Sequence, residues 1–255
     1  MLAALAAGLA GAEMKPLPMD GKGWFADPLS WSFRADGVHC TFSNGSGMAV
    51  CEAVPLASNV TVEAVFTPRQ ADGNGWSVAA VALVDDAFNF WHLALVLSPP
   101  EQGRKPFVEL AEMRDGTWLS QNNLKVEIDE ASDTRWAFGV PHRLLLSMDK
   151  AGITGTVLAP DGRRLLRRRY AFTAAAVTRG RPALHIGNFT GGFTDLRAEW
   201  SEPAAETRTE KVFPAYAAGN AVPEIKEAAT GFFRVAQKPD GRWWAIDPLG
   251  RGTVL

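Results

Sequence analysis

Alternation is the feature that most constrains this chain. From residue 30 to 200, short runs carry apolar side chains at every second position, and turns rich in Asp and Gly cut them apart. In Val60-Thr61-Val62-Glu63-Ala64-Val65-Phe66, the residues Val60, Val62, Ala64 and Phe66 share one face of a strand. Trp76 to Val84 and Asn89 to Leu97 are apolar on both faces and suit central strands covered on both sides. Phe107 to Met113, His142 to Met148, Ile153 to Leu158, Ala183 to Ile186 and Phe193 to Trp200 follow. Between the runs lie Ala35-Asp36-Gly37, Asp72-Gly73-Asn74-Gly75, Arg114-Asp115-Gly116, Asp149-Lys150-Ala151-Gly152 and Pro160-Asp161-Gly162. Asp-Gly flanked by strand-like runs is a hairpin signal. No segment in this range shows a helical period, so the reading is all-β, a sandwich or barrel of many short strands.

Size and charge narrow the class. A chain of 255 residues can bury a sizeable core, and 47% hydrophobic against 21% charged residues excludes wholesale disorder. A net charge of −2 excludes the basic surplus of a nucleic-acid binder. No apolar run reaches the roughly 20 residues of a membrane span. A monomer is expected.

The N-terminus reads as an address. Residues 2–12, LAALAAGLAGA, are short, apolar and end in Ala10-Gly11-Ala12, the core and cleavage site of a secretory signal without its basic start. Residues 1–12 are therefore set apart as a signal peptide, and the mature chain is expected to be secreted or periplasmic. Export gives the two cysteines meaning. Cys40 and Cys51 flank a polar, Gly-rich stretch that reads as a hairpin turn, and pairing them in register would bring them within disulfide reach. Two separate buried thiols are the alternative. The four histidines are too far apart in sequence, from each other and from a cysteine, for a structural zinc motif.

Composition changes after residue 200. Residues 201–230 are rich in Ala, Pro and Glu and read as a linker. Gly231-Phe232-Phe233-Arg234-Val235, the turn Pro239-Asp240-Gly241 and Arg242-Trp243-Trp244-Ala245-Ile246 then form a strand, a tight turn and a second strand. Asp247-Pro248-Leu249-Gly250 is another turn, and Thr253-Val254-Leu255 looks like a third strand cut short. Phe232, Phe233, Trp243 and Trp244 are expected to be unusually exposed; the alternative is that the tail docks on the sandwich.

Two stretches carry a family resemblance. Asn89-Phe90-Trp91-His92-Leu93, Arg114-Asp115-Gly116-Thr117-Trp118, His142-Arg143-Leu144 and Gly191-Gly192-Phe193-Thr194-Asp195-Leu196-Arg197, in that order, resemble the concanavalin A-like (laminin-G/glucanase-type) jelly roll. Residues 231–250 are similar to the hairpin leading into the catalytic (β/α)8 barrel of agarase-type glycoside hydrolases. The resemblance implies a sandwich over 13–200, a linker over 201–230 and the start of a truncated hydrolase domain over 231–255. It further implies a secreted enzyme acting on polysaccharide, with this chain as its accessory, carbohydrate-binding front. A (β/α)8 barrel needs about 250 residues, so no catalytic residue is carried over.

Four residues are candidates for sugar contact. Trp76 and Trp118 follow Gly-rich turns, where an exposed indole could stack on a pyranose ring. Trp91 shares its face with Leu93, Leu95 and Leu97 and belongs to the core, and Trp136 is read as a cap on the core edge. His92 lies opposite Trp91, with Phe90 and Ala94; Glu109 and Glu63 are expected on the same outer face, where His92 and Glu109 would stand over a groove. A hydrogen-bonded pair without ligand is the plainer alternative. Glu109 and Glu112, three apart on a strand, point to opposite faces and cannot act as a catalytic pair, and the E-x-D-x-x-E strand motif of jelly-roll glucanases is absent. A jelly-roll hydrolase active by itself and an adhesion sandwich without ligand remain the rival readings. No cofactor is expected, except that Asp195, near the last strand, is a candidate ligand for a structural Ca²⁺. Arg163, Arg164, Arg167, Arg168 and Arg169 form a basic run, read as a charged edge strand.

Overall fold

The computed structural model describes residues 14–119, 123–131, 134–203, 221–228, 230–237, 243–247 and 249–253. The expected export signal at 1–12 lies outside them. The regular secondary structure of the described residues is almost entirely strand. The sequence opens with β1 (Lys15–Pro16), β2 (Trp24–Ala26), β3 (Trp31–Arg34), β4 (Gly37–Cys51) and β5 (Ala57–Ala71). Then come β6 (Ser77–Asp86), β7 (Asn89–Leu97), β8 (Pro106–Arg114), β9 (Thr117–Leu119) and β10 (Lys125–Ala131). β11 (His142–Met148), β12 (Gly152–Leu158), β13 (Arg164–Ala171) and β14 (Arg181–Pro203) complete the sandwich.

These fourteen strands form one antiparallel sheet that curls over on itself. β14 is 23 residues long and belongs to both layers. Its first half, Arg181 to Gly187, pairs with β6, and its second half, from Phe189 on, pairs with β5. β4 follows it on the other side, Val50 opposite Ala183 and Val38 opposite Phe193. One layer therefore runs β2–β4–β14–β6–β7–β8–β9. The other runs β3–β4–β14–β5–β11–β12–β13–β10. The switch falls at the register shift between Gly187 and Phe189, where Asn188 takes φ 50°. Strands that change layers do so through such bulges and bends.

Between the layers the alternating faces meet in one core. Phe66 packs 4.5 Å from Phe193 and edge-on to Phe189 at 6.0 Å between ring centroids. Gly191 is small for a reason: a Cβ there would lie 2.4 Å from the Phe66 ring. Trp91 is buried in the core as its alternation required, and its Nε1–H donates to the Val177 carbonyl at 2.9 Å. Trp136 closes the core edge, its Nε1–H shared between the Val96 and Phe107 carbonyls at 3.0 Å each. Glu112 does face away from Glu109: it is buried and accepts the Val177 N–H at 2.7 Å, and burial pushes its carboxyl above the usual range.

Several expectations need correction. Cys40 and Cys51 do not flank a hairpin. Both lie on the single 15-residue strand β4, Cys40 opposite Trp31 and Cys51 opposite Trp24, and both are free, buried thiols. Lying eleven residues apart along one strand and facing different partners, they are far beyond disulfide reach. The Asn44-Gly45-Ser46-Gly47 stretch read as a turn is strand, kept extended by its pairing with β14. Burial pushes the Cys40 thiol up to about 12. Glu63 is not beside Glu109; it lies on β5 in the other layer and pairs with Arg143. The basic run is not an edge. β13 is covered by β10, which the alternation did not reveal, and Glu127, Asp129 and Glu130 of β10 pair with Arg169, Arg168 and Arg164 at 3.1, 2.6 and 3.2 Å.

Strand also enters the expected linker, since β14 runs to Pro203 and β15 (Ala221–Lys226) precedes the tail. With β16 (Arg234–Gln237), β17 (Trp243–Ile246) and β18 (Arg251–Thr253) it makes a separate sheet in the order β15–β18–β17–β16. Asp247, buried, clamps the β17–β18 turn by accepting the N–H groups of Leu249 and Arg251 at 2.9 Å each and the Arg251 Nε–H at 2.8 Å. Of the tail aromatics expected to be exposed, Phe232 and Trp244 are half-buried, and the Trp243 side chain lies outside the described residues. Phe232 packs on Phe25, 5.4 Å between centroids, over the cluster Val50, Ala82, Val84, Phe90 and Ala183. The Gly231 carbonyl accepts the Ala87 N–H at 3.2 Å. Phe233 remains exposed but meets Phe88 at 6.4 Å.

Two measurements check this packing. Phe232→Ala should cost about 1–2 kcal/mol for its half-buried ring, a fall of roughly 2–6 °C in melting temperature for a domain this size. The exposed Val235→Ala should leave melting unchanged. Asp149 accepts Arg169 Nη1–H at 2.9 Å and the Ala151 and Gly152 N–H groups, which hold its carboxyl below the usual range. A carboxyl lowered in the folded state contributes stability above its unfolded pKa of about 3.9, and that contribution is lost as pH falls toward the lower folded value. Because the pair is half exposed the effect is small, under about 1 kcal/mol. Asp149→Asn should melt slightly lower at pH 7 and show a shallower loss of melting temperature below pH 4.

Candidate functional site

The outward faces of β14, β6, β7, β8 and β9 form the candidate site. Alternation places Leu83, Trp91, Leu93 and Leu110 in the core, and Ala80, Ala82, Phe90, His92, Ala94, Glu109 and Ala111 on the other side. Most of that face is therefore floored by methyl groups. Ala80 and Ala82 lie on β6 between β7 and β14, and their small size lets two imidazoles meet above that strand. His92 Nδ1 is 3.3 Å from His185 Nδ1, and His92 Nε2 is 3.2 Å from Glu109 Oε1. Both histidines are buried while Glu109 is half-buried. Burial, with the His92 ring alongside, pushes the His185 imidazole down to about 3. His185 is thus neutral. The two imidazoles share one hydrogen bond between their Nδ1 atoms, and Glu109 meets His92 at its other nitrogen.

Trp118 stands over this group. Its ring is 4.8 Å from His92 and edge-on to Phe90 at 5.5 Å, yet it is 47% exposed. Its position comes from the Asp115-Gly116 turn. Both residues have positive φ, 48° and 73°, as a two-residue type I′ hairpin requires. Asn89 anchors the turn by accepting the Asp115 N–H at 3.0 Å, and Phe88 O accepts the Gly116 N–H at 3.1 Å. Ala111, opposite His92 in register, leaves the space Trp118 crosses.

Trp76 sits at the other end of the same face, 46% exposed and edge-on to Phe107 at 6.1 Å. Asn188, at the bend of β14, donates to the Trp76 carbonyl at 3.0 Å and so ties this loop to the layer switch. Four to six strand residues separate the Phe107 row from the Trp118 row, roughly 13–20 Å. Glu109 lies between them. All four residues singled out in the sequence therefore share one face. His185 is the member that sequence reasoning missed: its strand is continuous with the next, and only the pairing of β14 with β6 brings it to His92.

Asp195 takes no part. It lies in the β14 bulge with φ 50°, and its carboxylate is 3.7 Å from Arg143 Nη2, a cation already in place. Among the described residues no group of three or more His, Cys, Asp and Glu is placed to hold a metal ion. A cleft of about 420 Å³ lies at the sandwich edge between Trp136, His142, Asp161 and Arg163, away from this face. Burial lowers the His142 pKa there. No helix among the described residues is long and apolar enough to cross a membrane.

No protein-family model matches the chain, and no curated protein matches it in sequence. Solved structures match the fold. A carbohydrate-binding module, CBM66 from Bacillus subtilis, superposes with a TM-score of 0.52 at 15% identity, over 72% of this chain and 99% of that one. The exoplasmic/lumenal domain of VIP36, solved with Ca²⁺ and Man3GlcNAc, gives 0.50 at 12% identity over 78% and 94%. Its Ca²⁺-bound form gives 0.51 at 10% identity over 75% and 91%. The chain thus shares its β-sandwich fold with these domains.

Gly116 tests how Trp118 is held. At φ 73° a side chain is strained, and a Cβ there would come within 3.2 Å of the Phe88 ring. Gly116→Ala should destabilise by about 1–2 kcal/mol, measured by chemical denaturation, whereas Gly162→Ala, with open space at a similar φ, should cost less.

Proposed function

We propose that this chain is a carbohydrate-binding, concanavalin A-like sandwich that takes polysaccharide along the face between Trp76 and Trp118. The observation that carries the reading is that face itself. Two half-exposed indoles stand roughly 13–20 Å apart on one face of the sheet, with the Glu109 carboxylate between them as an acceptor for sugar hydroxyls. An indole face matches the apolar face of a pyranose, and an acceptor between two platforms orients the chain of sugars. The sugar-binding protein named among the fold neighbours and the glycan-bound lumenal domain support the same reading.

The finer assignment rests on the sequence. Residues 231–250 are similar to the entry hairpin of agarase-type hydrolases, and Phe232 seats that segment on the sandwich. In this reading the chain is the accessory front of a secreted or periplasmic agarase-like enzyme, acting as a monomer, with residue 200 near the domain boundary.

Affinity electrophoresis through gels carrying agarose, laminarin or a related glycan tests the binding. The wild-type chain should be retarded by one of them. Trp118→Ala should weaken that retardation about tenfold, equivalent to 1.4 kcal/mol, and Trp76→Ala should weaken it without touching the buried histidines. Unchanged mobility in every gel, or retardation indifferent to both substitutions in folded protein, would remove the face as a glycan site.

A further inference from the structure

We propose that His92 and His185 together form a binding site for a late first-row transition-metal ion, copper or zinc, beneath Trp118. The two Nδ1 atoms are 3.3 Å apart. Two nitrogens held at about 2.0–2.1 Å by one tetrahedral ion are separated by about 3.3–3.4 Å, so the rings already stand at the spacing of one edge of such a site. Direct hydrogen bonding gives a similar distance, and three features of the surroundings favour the ion.

The first is the other nitrogen of His92. Its Nε2–H is held by Glu109 Oε1 at 3.2 Å, which fixes the tautomer and leaves Nδ1 as a lone-pair donor. A carboxylate on the far nitrogen is the usual outer-shell partner of a metal-bound histidine. The second is the medium. Both rings are buried among Phe90, Trp118 and the methyl groups of Ala80 and Ala82, which enclose the two facing nitrogens on the sheet. The third is a further donor. Met48 lies directly opposite His185 in the β14–β4 register, on the same face, with a half-buried thioether. Imidazole suits copper and zinc, and a thioether adds a preference for copper(I). Binding balances simply. The proton on His185 Nδ1 moves to its Nε2, both Nδ1 lone pairs turn to the ion, and no oxidant or reductant is required. The site is independent of glycan binding, although it lies under the same indole.

The test is titration of the full, tag-free chain, stripped of metal, with Zn²⁺ and with Cu⁺ supplied as its bicinchoninate complex. One equivalent should bind, and saturation should raise the melting temperature. His92→Ala and His185→Ala should each abolish the equivalent. Glu109→Gln should weaken binding 10- to 100-fold, and His142→Ala should leave it unchanged. Should either histidine variant fail to fold, quenching of Trp118 by copper, compared between wild type and Trp118→Phe, reads the same site because that ring is 4.8 Å from His92. No equivalent with either ion, or an equivalent retained by the folded His92→Ala and His185→Ala variants, would overturn the site. Glycan retardation measured on the same samples keeps that outcome separate from the fate of the binding face.

Discussion

The rest of the molecule depends on β14 being able to serve two layers. A 23-residue strand that stayed flat would make one wide sheet with both faces wet. The bend at Gly187–Asn188 turns it instead into the shared wall of a sandwich, with β6 on one half and β5 on the other. β4 bends with it, so the glycines read as a turn in β4 serve the corner. The core aromatics Phe66, Phe189 and Phe193 cluster beside that corner, on the β5 half.

The same bend builds the site. It puts His185 on the half of β14 that lies beside β6, two strands from His92, and it places Asn188 where its side chain can hold the Trp76 loop. The other wall is held locally, by the Asp115-Gly116 turn and Asn89 under Trp118. One end of the face is thus set by a long-range crossing and the other by a two-residue turn.

Much of this was legible in the alternation. The parity of Trp91 and His92 assigned one to the core and the other to the outer face, and Asp36-Gly37, Asp115-Gly116 and Asp161-Gly162 marked true hairpins, whereas Asp72-Gly73 joins β5 to β6, which do not pair but lie in different layers on either side of β14. Glu109 and Glu112 were separated by the same rule. What failed was everything that depends on partners distant in sequence. Nothing local says that Asn44-Gly45-Ser46-Gly47 is strand, because its extended form is imposed by β14. Nothing local places Glu63 against Arg143 rather than Glu109, since both layers carry the same alternation. β10 escaped notice because its apolar positions, such as the half-exposed Val126, carry little burial signal, and its role is to offer carboxylates to β13. The docking of Phe232 could be stated from the sequence only as an alternative, because it is a contact between a tail and a surface.

The alanines under the outer face have a consequence for how such a surface can change. Ala80, Ala82 and Ala94 are separated from the main core by the full thickness of the sheet. The topography of this face is therefore written in the larger side chains that cover these buried alanines, among them Phe90, His92 and Trp118. Exchanging one methyl for a larger group would redraw that landscape while the packing between the layers stayed as it is, so the shape a ligand meets is free to drift independently of the scaffold that carries it.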